Sequence, residues 1–130
     1  MTATLQQGLV EHAAIDRAFR DVIAAFKERR TADASTLCRI LFDRLRAHLV
    51  AEDPRLEELA ATDPAEAEAL RDDHRGFFAT IDELTGAIDA GTIAAADVHA
   101  FKARFSLHEA REETGLYRWL RAASVEASAV

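Results

Sequence analysis

The stretch FSLHEAREETGLYRWL, residues 105–120, contains the pattern that decides the fold. Its apolar residues recur every three or four positions and continue a stripe that begins upstream at Val98, as on a helix face that packs against a core. His108 and Glu112 occupy the positions of this stripe between Phe105 and Leu116. An unpaired buried charge is expensive. A helix that turns an imidazole and a carboxylate inward therefore needs a chemical partner for them.

The composition predicts one helical domain covering residues 1–130. Of the 130 residues, 49% are apolar, and the chain has only two prolines and five glycines, which favours helix nearly throughout. The small residues at the end of the chain, 124–130, are expected to fray. The formal net charge of −7 argues against nucleic acid or an anionic membrane as the partner.

The same reading favours a cytoplasmic location. Cys38 is the single cysteine, so no intramolecular disulfide can form, and we expect it to be a small buried apolar residue. The first residues, MTATLQQGLVEH, lack the basic start and apolar centre of a secretory signal, and no apolar run reaches the length of a membrane span.

Four long helical patterns predict an all-α, antiparallel up-down-up-down four-helix bundle. They cover about residues 5–30, 33–53, 64–90 and 95–123. Pro54 is expected to end or bend the second helix, because the residue before proline disfavours the α conformation. Asp63, Pro64 and Glu66 predict a capped start for the third helix, and Gly91 its end.

The inward-facing histidines are placed symmetrically about the two predicted hairpin turns. His12 and His48 are centred on residue 30, and His74 and His108 on residue 91. A rise of about 1.5 Å per residue puts each histidine about 25 Å from its turn. All four imidazoles should therefore lie in one layer of the bundle.

Two of these histidines are followed by a glutamate one helical turn later, as His48 with Glu52 and His108 with Glu112. Taken singly, an inward histidine is usually a hydrogen-bonded core residue, and one such pair is usually a surface ion pair. Four imidazoles and two carboxylates in one layer instead predict a pair of metal ions bridged by the carboxylates, with iron, manganese or zinc as candidates. His99 lies on a different face and is not expected to be a ligand.

The ordered set of segments EHAAI, HLVAED, DDHRGF and HEAREETGLY resembles the hemerythrin-like family of histidine–histidine–glutamate cation-binding domains, over nearly the whole chain. The resemblance implies a four-helix bundle with a non-haem di-iron centre, in which two iron ions are bridged by an oxo or hydroxo group. Zinc and manganese stay open as alternatives. A ferritin-like site is disfavoured, because Glu-x-x-His spacing does not occur here. By position, the implied metal ligands are His12, His48, Glu52, His74, His108 and Glu112.

The sequence departs from the oxygen-carrying hemerythrins at two positions. Phe78 stands where they have a fifth histidine, which leaves two coordination positions open and predicts a reactive or sensing centre with an apolar neighbour. Their fourth-helix carboxylate follows the histidine by five residues, which here is Glu113. We prefer Glu112, because Glu113 is turned about 100° away from the apolar stripe.

The resemblance implies a protein that binds dioxygen, or nitric oxide, as a sensor, scavenger or store. Two alternatives stay open: a di-iron enzyme that oxidises ferrous iron or reduces peroxide, and a metal-stabilised regulatory protein. The sequence names no protein partner. Asp16 and Tyr117 could support the site, but a solvated Asp and a bundle-edge Tyr are the expected interpretations, and Trp119 is expected to pack in the core.

Overall fold

The computed structural model describes the backbone of residues 2–129 and the side chains of residues 7–122. This part of the chain contains helices joined by short turns and no strands, which confirms the predicted all-α class. The sequence predicts that residues 124–130 fray, but the helical backbone continues to Ala129; the side chains of this segment lie outside the described residues. The segments are α1 (Thr2–Lys27), α2 (Thr31–Ala60), α3 (Pro64–Ala90), α4 (Ala95–Thr114) and α5 (Leu116–Ala129).

Pro54 does not end α2, so the predicted boundary at residue 53 is wrong. The helix runs through the proline and continues to Ala60. Pro54 and Val50, whose carbonyl loses its usual helical partner, are both exposed, so that water can take the place of the missing hydrogen bond. Beyond the proline, Leu56 and Leu59 are buried, and their burial stabilises the last turns of the helix.

The ends of α3 follow the predicted pattern in all but one detail. The Asp63 carboxylate accepts a hydrogen bond from the backbone N–H of Glu66 at 3.2 Å, and Pro64 begins the helix. Gly91 ends it in the left-handed conformation, with φ of 70°. The Glu66 carboxylate does not return to the cap. It accepts two hydrogen bonds from Arg111 of α4.

The predicted fourth helix is two helices. α4 ends at Thr114, and Gly115, whose φ and ψ are −104° and −82°, separates it from α5. Glycine has the weakest helix propensity after proline. The break changes the direction in which the residues of α5 point.

The helices pack in a cycle. α1 contacts α2 and α4, α3 contacts the same two helices, and α5 packs against α1, α2 and α4. In the described part of the chain, α1 does not contact α3, and α2 does not contact α4. These helices therefore enclose a common interior.

This interior contains two apolar clusters, one on each side of the predicted histidine layer. The larger cluster contains Phe19, Leu45 and Phe101. The smaller one contains Leu56 and Leu70 and extends to residues of α5, with Trp119 packed against its edge. Along α2, α3 and α4, the predicted ligands lie between residues of the larger and the smaller cluster. None of the helices described has the combination of length and hydrophobicity needed to cross a membrane.

Candidate metal centre

All six predicted ligand residues lie in one buried layer of the helical interior. Their exposed fractions range from 0% for the two glutamates to 6% for one histidine. α1 contributes one histidine, α2 a histidine and a glutamate, α3 one histidine, and α4 a histidine and a glutamate. The residues are His12, His48, Glu52, His74, His108 and Glu112.

The two carboxylates lie at the centre of this layer, and the Nε2 atoms of the four histidines face them. Nε2 of His48 and of His74 lie 3.3 Å and 3.5 Å from Oε1 of Glu52. Nε2 of His12 and of His108 lie 3.2 Å and 3.1 Å from Oε1 of Glu112. The shared atom type indicates that all four imidazoles present the same nitrogen to one centre.

These contacts are short, but their geometry is not that of hydrogen bonds. Among the described side chains, nine buried polar atoms have no hydrogen-bond partner, and all nine belong to the six residues or to neighbouring Glu109. Native proteins satisfy nearly all buried polar groups. Donor atoms that aim at a common point, without hydrogen bonding to one another, fit a bound cation.

The donor atoms form two groups of four that share both carboxylates. One group is His12, His48, Glu52 and Glu112, and the other is Glu52, His74, His108 and Glu112. Within each group, the ligand atoms lie within 4.8 Å of one another. Each group can therefore hold a metal ion, and imidazole with carboxylate suits first-row transition metals and zinc.

The structure separates the two candidate glutamates of α4. Glu112 is fully buried within both groups, whereas the side chain of Glu113 is 51% exposed and its nearest oxygen lies 3.8 Å from Nδ1 of His12. His99, which we did not expect to be a ligand, lies on the surface.

Asp73 and Glu109, which the sequence analysis did not single out, contact the outer nitrogens of two histidines. The Asp73 carboxylate lies 2.9 Å from Nδ1 of His108 and holds that nitrogen as the protonated one. Oε2 of Glu109 lies 3.6 Å from Nδ1 of His12. The hydrogen bond to Asp73 orients the imidazole of His108 and fixes which of its nitrogens is free to bind a metal, whereas Glu109 is too far from His12 for a hydrogen bond.

Glu109 is buried, and its environment keeps it neutral. Burial, its hydrogen bond with Asp16 and the nearby carboxylates raise the pKa of Glu109 to about 9. Asp16 is half-buried and therefore supports the site through Glu109, instead of being a fully solvated residue as expected. Glu109 directly follows His108 in the sequence, and adjacent helix residues do not share a face, so the spacing did not predict that Glu109 lies near the layer.

Tyr117 is not the bundle-edge residue that the sequence led us to expect. It is 2% exposed, and its hydroxyl lies 3.1 Å from Nε2 of His12 and 3.3 Å from Oε2 of Glu52. Burial, followed by the charges of Glu52 and Glu112, raises the pKa of the Tyr117 phenol. The hydroxyl belongs to the layer of donor atoms.

The titration of the layer reflects the competition between burial and charge. Burial lowers the pKa of His48 and of His108. The facing carboxylates of Glu52 and Glu112 raise both pKa values by more than burial lowers them, so both lie above the ordinary value. Burial raises the pKa of Glu52, but contacts with Glu112 and two histidines hold it well below its ordinary value. The pKa values of these groups therefore depend on one another across the layer.

Phe78, which stands where the resemblance implies a fifth histidine, lines a pocket of about 540 Å³ beside His74. The expectation of an apolar neighbourhood is not met, because the other lining residues are charged. They are Asp53, Glu57, Arg71 and Arg75. The guanidinium of Arg46 also lies over the Phe78 ring, 5.8 Å from its centroid.

Comparison with known proteins gave no significant match to a family model, to a curated protein or to a solved structure.

Proposed function

We infer that this chain is a non-haem di-iron protein with a hemerythrin-like bundle, and that it binds dioxygen or nitric oxide as a sensor, scavenger or store. The observation that carries this proposal is the sharing of Glu52 and Glu112 by two groups of donor atoms, each completed by two histidines. Two isolated carboxylates at this depth would repel each other. Two cations between them would neutralise the charge and supply a partner for the unpartnered Nε2 atoms and carboxylate oxygens of the six residues.

Cross-helix ion pairs support the up-down-up-down topology. Arg39 pairs with Asp89, and Arg46, seven residues later in α2, pairs with Asp82, seven residues earlier in α3. This is the register of antiparallel helices. The connections between successive helices are also short enough to require antiparallel neighbours.

The donor set suits iron, zinc and manganese, and the resemblance to hemerythrin-like domains is the reason to propose iron among them. Four neutral nitrogens and two carboxylates suit these metals better than calcium or magnesium, which prefer oxygen ligands. When bound, an iron pair supplies reversible electron transfer and open positions for a small ligand. The protein residues hold the pair in place: Asp73 orients His108, Glu109 faces His12, and Phe77 and Phe105 close one side of the layer with their rings.

A di-iron enzyme that reduces peroxide is the second candidate, and Glu109 is the observation that favours it. Its raised pKa of about 9 keeps the carboxyl protonated near neutral pH, and it lies beside the donor layer. A neutral carboxyl beside the layer is a source of protons for a reduction there. Catalytic turnover of peroxide would support the enzyme, and stoichiometric binding without turnover would support the binding protein.

The deciding experiment measures metal content and the visible spectrum of the protein purified from iron-replete cells, before and after exposure to air and to nitric oxide. We expect two iron ions per chain and an oxo-bridged di-iron spectrum that changes with each gas. One ion per chain, or zinc with no response to either gas, would contradict the proposal. A matched sample of His99→Ala should behave like the wild type, because His99 lies on the surface.

A further inference from the structure

The hydroxyl of Tyr117 differs from the other polar groups that surround the six residues. Asp73 and Glu109 contact the outward-facing Nδ1 atoms of their histidines. Tyr117 instead contacts an inward-facing nitrogen, Nε2 of His12, and also an oxygen of Glu52, a carboxylate shared by both groups. Its oxygen therefore lies on the inner side of the layer, among the atoms that would bind metal.

The Tyr117 hydroxyl makes hydrogen bonds with Nε2 of His12 and Oε2 of Glu52, and its spacing from these atoms also fits that of a ligand. Two donor atoms that bind one ion at right angles, each at about 2.1 Å, lie about 3 Å apart. The histidine nitrogens lie 3.1–3.5 Å from the nearest oxygens of Glu52 and Glu112. The Tyr117 oxygen lies 3.1 Å and 3.3 Å from its two neighbours, which is the same range.

We propose that Tyr117 is a seventh metal-binding residue, whose oxygen binds the ion held by His12 and His48. This inference rests on the proposed dimetal centre. As the oxygen–metal bond forms, the phenolic O–H bond breaks and its proton passes to solvent, with no change in oxidation state. Tyrosine oxygen is an established ligand of ferric iron in other proteins.

The two halves of the centre then differ in what they offer to a small molecule. Tyr117 fills a position on the His12–His48 half. The other half, held by His74 and His108, has no such residue among those described, although both halves border a pocket, one at His48 and one at His74. A small ligand is therefore directed to the ion beside His74.

Gly8 of α1 makes room for the phenol. A Cβ atom at position 8 would lie 2.6 Å from the Tyr117 oxygen and 2.7 Å from Cζ of its ring, distances that real Cβ atoms do not show. Glycine destabilises the interior of a helix, and the close approach of the Tyr117 ring explains why it is found at position 8. Gly86 offers a matched control, because a Cβ there would have nothing within 4 Å.

The test compares the ferric forms of the wild type, Tyr117→Phe, Gly8→Ala and Gly86→Ala, by metal content, visible absorption and resonance Raman spectroscopy. We expect a phenolate-to-iron charge-transfer band, with tyrosinate vibrations, in the wild type and in Gly86→Ala. The band should be absent from Tyr117→Phe and strongly reduced in Gly8→Ala. Tyr117→Phe removes one oxygen atom and keeps the packing of the ring, so it tests the proposal even if Gly8→Ala does not fold.

The two proposals fail in different ways. A wild-type protein that binds no pair of iron ions would contradict the proposed function itself. A wild-type protein that binds two iron ions, with a spectrum that Tyr117→Phe leaves unchanged, would overturn the role of Tyr117 and leave the dimetal centre standing.

Discussion

Replacing Glu112 by glutamine should remove most of the metal affinity, whereas the same change at Glu113 should not. Glu112 is fully buried, and its oxygens face Nε2 of His12 at 3.2 Å and of His108 at 3.1 Å, so it is shared by both groups of donor atoms. Changing a residue that merely supports a ligand typically weakens metal binding by about 10- to 100-fold. Losing the charge of a shared ligand should cost at least about 100-fold. The Glu113 side chain is 51% exposed, and its removal should change affinity by less than about fivefold.

The same numbers predict the thermal stability. At a free metal concentration about 1,000 times the wild-type dissociation constant, binding stabilises the fold by about 4.1 kcal/mol per site. At that concentration, a 100-fold weaker site retains about 1.4 kcal/mol. Glu112→Gln should therefore lose about 2.7 kcal/mol of metal-dependent stabilisation per site.

The assay is chemical unfolding, with and without iron, of the wild type and the two glutamine variants, together with metal content by mass spectrometry. Without metal, Glu113→Gln and the wild type should unfold at similar denaturant concentrations. The reasoning would be refuted if Glu113→Gln lost metal while Glu112→Gln kept it.

Three further predictions concern the surroundings of the centre. The metal-free protein should lose stability as pH rises from about 5 to 9, because the folded-state pKa of Glu109 is raised to about 9 and its stabilising protonated form is progressively lost. Glu109→Gln should reduce the slope of the unfolding free energy against pH by at most about 1.4 kcal/mol per pH unit. The measurement is urea unfolding with chelator present. An unchanged slope would mean that the histidines cause the pH dependence. Asp73→Asn should weaken metal binding by about 10- to 100-fold, because it removes the carboxylate that lies 2.9 Å from Nδ1 of His108 and orients the ring. The affinity is measured by competition with a chromophoric chelator. Wild-type affinity in this variant would show that Asp73 is dispensable. Phe78→His, which adds a nitrogen donor beside His74, should slow the oxidation of the reduced iron-loaded protein in air. The rate is followed by visible absorption. An unchanged rate would mean that position 78 does not control the access of oxygen to the metal.

The sequence predicted the helical class and the positions of the six residues because their spacing repeats the geometry of a helix. Glu52 and Glu112 follow their histidines by one turn, and the mirrored positions about two turns placed four imidazoles at one level. Helix periodicity and chain length were sufficient for both inferences. The iron and the bound gas are proposals, which rest on the resemblance and on the chemistry of the donor atoms.

The sequence could not predict the residues whose position depends on a change of direction or on a neighbouring helix. In an unbroken helix, Tyr117 would lie about 140° away from Glu112, and only the break at Gly115 permits a different direction. Glu109 lies beside the apolar stripe, where a carboxylate is normally solvated, and it is α1, with Asp16, that covers it. The predicted end of α2 at Pro54 was wrong because the burial of Leu56 and Leu59 outweighs the tendency of proline to interrupt a helix.

The polar layer divides the apolar interior into two unequal parts, and this division affects how the molecule opens. The smaller part, around Leu56 and Leu70, has few apolar neighbours of its own and is joined to the larger part through the donor residues. Cations in the layer would cross-link the helices at this joint, whereas without them the layer contains buried polar atoms that have no hydrogen-bond partner. Loss of metal should therefore allow the end of the bundle that contains the smaller cluster to unfold locally before the rest. Bound ions would raise the free energy of this local unfolding.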